Sequence, residues 1–328
     1  MNKKYFLRYG LFWIVGFLSV LLLSYPLLPL PFSLPAIAQT RPTPVTLTGR
    51  TPSAQSFQAF GLTSTLTPLI PGELRRSNQP NGGSRGVIGL TDDRVPMTSF
   101  DYPWSAIGRI EYLSGDEFSI CTGSLVAPDI VLTNAHCIID METHQPKAGT
   151  KFAPNLIDGL VQDEEDLANV VDLIRGTDFR NDNQMPHPDD WAFLRLDRPL
   201  GERYGTLAWQ PLPVSTLVRE YGSRLTLVGY SGDFPPDDPA STAGAHVGCS
   251  ILGEVEDNLI HDCDMFGGSS GGPILAEVDG EFRIVALNAA ELYEEGELDS
   301  GERIRQGIVN YGVKISRITN LIQQYVTR

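Results

Sequence analysis

Gly267-Gly268-Ser269-Ser270-Gly271-Gly272-Pro273 is the stretch on which the reading of this chain turns. Glycines on both sides of a serine let the backbone bend sharply enough to present a hydroxyl at a surface. They also let neighbouring N–H groups point inward together, the donor arrangement that acyl transfer needs at a developing alkoxide. A serine hydroxyl is a weak nucleophile and needs a base beside it. Histidine titrates near neutrality and suits that task. A buried carboxylate must then hold the imidazole in one tautomer. Two further stretches supply these groups. Thr133-Asn134-Ala135-His136-Cys137 follows the strand-like Asp129-Ile130-Val131-Leu132, and Asp189-Asp190-Trp191-Ala192-Phe193-Leu194 carries two carboxylates. Singly, each has an ordinary reading: a flexible loop, a structural histidine, a solvated strand start. The order His, Asp, Ser in these settings is far more specific.

The chain around these stretches is a globular one. At 328 residues, 41% hydrophobic and 20% charged, it can bury a proper core, which excludes disorder, collagen and a small disulfide scaffold. Charge is uneven: residues 1–85 carry +7 and residues 86–328 carry −22. A body that acidic repels phosphates, so no nucleic-acid partner is expected. Lys3, Lys4 and Arg8 precede the apolar run Leu11–Leu23, and Ala36-Ile37-Ala38 follows. That is the order of a secretory signal over residues 1–38, cut between Ala38 and Gln39. The apolar run is short for a membrane span, so contact with a membrane is expected only if the signal stays uncleaved. Residues 39–85 are rich in Pro, Thr, Ser and Gln and lack an amphipathic period, which reads as a flexible prosegment or linker.

From Gly86 the texture changes to short β-branched and aromatic runs between turn residues. Those runs are Trp104–Leu113, Ile120–Leu125, Ile130–Leu132, Val170–Ile174, Trp191–Leu196, Leu225–Tyr230, Pro273–Val278, Phe282–Leu287 and Ile308–Val313. Many short strands imply an all-β barrel or sandwich. Ile315, Ile318, Leu321, Ile322 and Tyr325 fall at helical spacing, so one helix is expected over Lys314–Thr327.

With these residues quoted, residues 86–328 resemble the chymotrypsin-like (trypsin-fold) serine proteases. Thr-Asn-Ala-His-Cys at 133–137, Asp-Trp-Ala-Phe at 190–193 and Gly-Ser-Ser-Gly-Gly-Pro at 268–273 carry the likeness. Val87-Ile88-Gly89, Asp92-Asp93-Arg94, Tyr102-Pro103, Cys121-Thr122-Gly123, Val228-Gly229-Tyr230 and Gly232-Asp233 point to the bacterial glutamyl endopeptidase-like branch. The resemblance implies two six-stranded antiparallel β-barrels with the active site in the cleft between them, and the trypsin-like domain spans 86–328. It implies His136 as general base, Asp190 as the carboxylate that orients it, Ser270 as nucleophile, and the N–H groups of Gly268 and Ser270 as oxyanion hole. Asp189 is the rival carboxylate, but successive side chains of an extended chain point to opposite sides.

The resemblance matches Cys121 and Cys137 to the bridge that staples the histidine loop. Four cysteines allow three connectivities, and the one made of the two local bridges, Cys121–Cys137 and Cys249–Cys263, is expected. Export permits them. Relatives that depend on an ion pair to the new amino terminus keep an acid just before the nucleophile; here Ser269 stands there. Glutamate-preferring relatives keep a histidine where Asn288 aligns, and Asp264 lies six residues before Ser270 where an acid binding Arg or Lys is kept. Both are therefore expected to bind the substrate side chain.

The expected protein is a monomeric, secreted or periplasmic serine endopeptidase acting on protein or peptide substrates. No cofactor or metal is expected; Asp163–Asp166 and Asp237-Asp238 read as solvated loops rather than calcium sites. The rivals are a catalytically silent protease-fold binding protein and an HtrA-like protease lacking a PDZ domain, since 58 residues follow Ser270.

Overall fold

The computed structural model describes residues 79–80, 86–89, 91–114, 117–181, 185–297 and 303–319. The export signal assigned to residues 1–38 lies outside them, as does all of 39–85 except Gln79 and Pro80. The described residues begin with three short strands: β1 (Gln79–Pro80), β2 (Thr91–Asp92) and β3 (Arg94–Pro96). β1 and β2 pair with each other.

Six strands then close on themselves: β4 (Ile107–Ser114), β5 (Glu117–Ala127), β6 (Ile130–Thr133), β7 (Lys151–Pro154), β8 (Ala168–Arg175) and β9 (Ala192–Leu196). Their order round the barrel is β4-β5-β6-β9-β8-β7, antiparallel throughout. The β-branched and aromatic runs form its wall because they pack well on a pleated surface. Ile107, Ile110, Leu125, Leu132, Phe152 and Phe193 fill the interior. β6 is buried at all four positions, and β9 pairs with it so that Thr133 lies opposite Ala192 and Leu132 opposite Phe193. This register brings the residues just after β6 beside those just before β9, the two segments that carry His136 and Asp190.

The second half holds β10 (Ala208–Trp209), β11 (Leu225–Gly229), β12 (Gly244–Cys249), β13 (Ile251–Val255), β14 (Asn258–His261), β15 (Pro273–Val278), β16 (Glu281–Glu297) and β17 (Arg303–Lys314). The half expected as the second barrel hydrogen-bonds as a sheet of nine strands, in the order β13-β14-β17-β16-β15-β11-β12-β3 with β10 on β16. Yet β12 ends at Cys249 and β13 begins at Ile251, and these strands lie near opposite ends of that order. One residue, Ser250, joins them, so the sheet curls back on itself. The corner, rather than a ladder of hydrogen bonds, closes it. Leu227, Leu259, Ile274 and Val285 pack within it.

Cys249 and Cys263 form a disulfide beside this corner, and Cys121 and Cys137 form another between β5 and the histidine turn. The expected terminal helix is seen over 315–319; the rest of the expected span, 320–327, lies outside the described residues. No helix among the described residues is long and apolar enough to cross a membrane.

Candidate active site

Helix α1 (Ala135–Ile138) starts directly after β6 and carries His136. Asp190 precedes β9 and is fully buried. Its Oδ2 lies 2.7 Å from His136 Nδ1, and its Oδ1 accepts the His136 main-chain N–H at 2.9 Å. Asn134 Nδ2 donates to the Asp190 carbonyl at 2.6 Å. The carboxylate thus grips both ring and backbone of one histidine. A proton held on Nδ1 toward Asp190 leaves the Nε2 lone pair free.

Asp189 faces elsewhere. Both of its oxygens accept from Arg317 Nη2 at 2.7 Å, and Nε adds a bond at 2.9 Å. It ties the terminal helix to the first barrel, and among the described residues its carboxylate makes no hydrogen bond to the His136 imidazole.

The serine loop is held by carbonyls more than by side chains. Gly232 N–H donates to the Gly267 carbonyl at 2.8 Å. Thr122 spans the two halves: its N–H donates to the Ser270 carbonyl at 2.8 Å and its hydroxyl to the Gly268 carbonyl at 3.0 Å. That hydroxyl also accepts the Tyr230 N–H at 2.8 Å, and Thr133 Oγ1 donates to the Thr122 carbonyl at 2.7 Å. Gly268 has φ +106°, and a Cβ there would meet the Tyr230 carbonyl oxygen at 2.4 Å, so only glycine fits. In the loop, the N–H groups of Ser269, Gly271 and Gly272 donate to the carbonyls of Phe266, Asn288 and Ser269. Those of Gly268 and Ser270 donate to nothing among the described residues, and main-chain N–H groups left unpaired are uncommon. The buried Ser270 hydroxyl has one partner among the described residues, the Ala289 carbonyl at 3.5 Å.

Two expected substrate-binding residues do other work. Asp264 is only 2% exposed and both its oxygens are taken. Oδ1 accepts the Ile88 N–H at 2.8 Å and Oδ2 the Asp93 N–H at 2.7 Å, while its own N–H donates to His246 Nδ1 at 2.8 Å. It anchors the segment after residue 85. Asn288 is fully buried, and its Nδ2 donates to Ser269 rather than facing a ligand. Behind it lies His261, also fully buried, beside the Asn288 side chain and the Tyr311 main chain without closing a well-directed hydrogen bond. Burial pushes this imidazole down to about 4, so it is neutral at physiological pH.

Sequence reasoning missed Thr122 and Asn134 as parts of the site. Thr122 stands in Cys121-Thr122-Gly123, but its partners lie 146 and 108 positions away, which no local pattern reveals. Among the described residues three clusters bring metal-type donors together. Two of them use the disulfide cysteines. The third, Asp93, His246 and Asp264, spends the Asp264 oxygens and His246 Nδ1 on main-chain N–H groups.

Residues 121–287, half of the chain, match a family model for the trypsin-like peptidase domain. Glutamyl endopeptidase of Bacillus licheniformis is 29% identical over 194 residues, 59% of this chain and 55% of that protein. Serine protease 23 of Rattus norvegicus is 28% identical over 173 residues, 47% and 42% of the two. The chain thus spans about half the length of these curated relatives. Among solved structures, a Glu endopeptidase in complex with MPD superposes with a TM-score of 0.55 at 22% identity, covering 72% of this chain and 99% of that one. Protease Anisep from Arthrobacter nicotinovorans gives 0.52 at 18% identity, with coverages of 70% and 98%. Both share the fold.

Proposed function

We propose that this chain, a member of the trypsin-like peptidase family, is a serine endopeptidase, that His136, Asp190 and Ser270 form its catalytic triad and that the N–H groups of Gly268 and Ser270 form its oxyanion hole. The observation that carries this reading is the two-point grip of buried Asp190 on His136, by ring and by backbone. It fixes the imidazole tautomer with Nε2 as the base.

The Ser270 hydroxyl gives up its long bond to Ala289 and transfers its proton to His136 Nε2 as Oγ attacks the scissile carbonyl; such contacts tighten only when substrate is bound. The carbonyl oxygen gathers charge, and the two unpaired N–H groups stabilise it. The tetrahedral intermediate collapses, the C–N bond breaks, and the imidazolium returns its proton to the departing amine. Water, deprotonated by the same imidazole, then attacks the acyl-enzyme and frees Ser270.

Substrates are proteins or peptides. The acid on which a preference for Arg or Lys would rest, Asp264, is already satisfied by Ile88 and Asp93. Export is supported by the amino-terminal address and by the two disulfides, which persist in oxidising compartments. The test is steady-state hydrolysis by Ser270→Ala and His136→Ala, each expected to lose at least about 10⁴-fold in kcat while remaining folded, because triad members act as a unit. Normal turnover by either variant contradicts the assignment.

A further inference from the structure

The orientation of an oxyanion hole is a matter of peptide planes. An N–H group and the preceding carbonyl belong to one rigid trans unit and point in opposite directions. Whatever holds the carbonyl of Ser269 therefore aims the N–H of Ser270, and whatever holds that of Gly267 aims the N–H of Gly268. Gly232 performs the second task through its own N–H. The first carbonyl has two donors: the Gly272 N–H at 2.9 Å, inside the same loop, and Asn288 Nδ2 at 3.1 Å, from strand β16.

We propose that Asn288 is a positioning residue that locks the Ser269–Ser270 peptide with its N–H facing the oxyanion hole, a neutral latch in the place where an amino-terminal ion pair does not operate. The inference rests on the reading of Ser270 as nucleophile. Asn288 is suited to the task because its main chain and its Nδ2 both hold the serine loop. Its N–H donates to the Gly272 carbonyl and its carbonyl accepts the Gly271 N–H, both at 2.9 Å. Its Nδ2 reaches Ser269 Oγ at 3.2 Å as well as the Ser269 carbonyl. Ser269 Oγ in turn donates to the Phe266 carbonyl at 2.6 Å, which leaves a lone pair for the amide. An amide accepted by two oxygens must present its nitrogen to them, so the assignment of nitrogen and oxygen in Asn288 follows from the partners.

The neighbourhood is buried. Ser269 is 1% exposed and Asn288 fully buried. His261 beside the amide is held neutral by burial. Without the amide the Ser269 carbonyl keeps only the Gly272 N–H, so the peptide is freer to tilt. Substrate binding does not use this peptide as directly as the transition state does. The defect should therefore fall on kcat.

The experiment uses the full chain with Asn288→Ala and with Asn288→Leu, the latter close in shape so that no cavity forms. Active sites are counted by stoichiometric reaction with an organophosphonate fluoride, and kcat and KM are measured per reactive site. A slow peptide substrate and a peptide aldehyde, which places an oxygen in the hole, report the transition state. We expect kcat per site to fall roughly 10- to 100-fold, the scale of a misplaced reacting geometry. KM should stay within about 3-fold, and aldehyde affinity should fall in parallel with kcat/KM, since it mimics the transition state. A kcat per site within about 3-fold of the parent in both variants overturns the latch, since a purely structural residue changes only how many sites are counted. Ser270→Ala, run alongside, separates the two claims: if it still turns over, the nucleophile is misassigned and the latch falls with it.

Discussion

At the residue scale the candidate site depends on which of two adjacent carboxylates meets the imidazole. Asp190 is buried against His136, while Asp189 binds Arg317 from the half-exposed end of a loop. Asp190→Asn should lower kcat by about 10⁴-fold through the wrong imidazole tautomer. Asp189→Asn should keep kcat within a few-fold and lose about 1 kcal/mol of stability, since a partly exposed ion pair contributes little. Kinetics and urea unfolding of the two variants side by side distinguish them, and a larger kinetic defect in Asp189→Asn contradicts the geometry. Much of this was legible in the sequence, because His136, Asp190 and Ser270 each stand in a short stretch whose chemistry is local. Asp264 was not. Its spacing from Ser270 suggested a pocket acid, but its partners are the N–H groups of Ile88 and Asp93, 176 and 171 positions away. Spacing along a chain cannot show a carboxylate already occupied from so far off.

At the scale of elements, strands with apolar runs declared themselves and strands made by their partners did not. Lys151–Pro154, Gly244–Cys249 and Asn258–His261 contain Pro, Gly, Asn or Lys, which have weak strand preference, and only pairing makes them strands. β16 runs on past Leu287 to Glu297, because β17 pairs with it in the ladder over that length. The same reliance on distant partners makes Asp264 an anchor for the start of the domain. Asp264→Ala should cost about 3 kcal/mol, because two main-chain N–H groups lose a charged acceptor inside the protein. The measurement is the urea midpoint of the variant, with peptide-library profiling beside it. An unchanged midpoint together with a shifted preference for Arg or Lys would instead return Asp264 to the substrate pocket.

At the scale of the whole molecule, two effects couple the site to its surroundings. His261 binds a proton at 6.5 when unfolded and only at about 4 when buried. Between these values the unfolded chain holds more protons, so stability is lost as pH falls from 6.5 toward 4, by about 3 kcal/mol in total, and is fully present above that window. Unfolding of the parent and of His261→Gln between pH 4 and pH 8 checks this: the variant should lose less on acidification, and identical slopes contradict it. The second effect concerns the start of the domain. The Gly86 carbonyl accepts from the Met265 N–H at 3.0 Å and Asn310 Nδ2 at 2.8 Å, and Val87 is fully buried. With a neutral latch at Ser269, a chain beginning at Gly86 should be active, and extra residues before it should raise KM more than they lower kcat. A large fall in kcat at constant KM contradicts that. The central claim, a nucleophile at Ser270 activated by His136, is tested most directly by treating the full chain with an organophosphonate fluoride and mapping the adduct by peptide mass spectrometry. One adduct on Ser270, lost in Ser270→Ala and strongly slowed in His136→Ala, is the expected result; an adduct on another residue, or none in protein that still cleaves peptides, contradicts it.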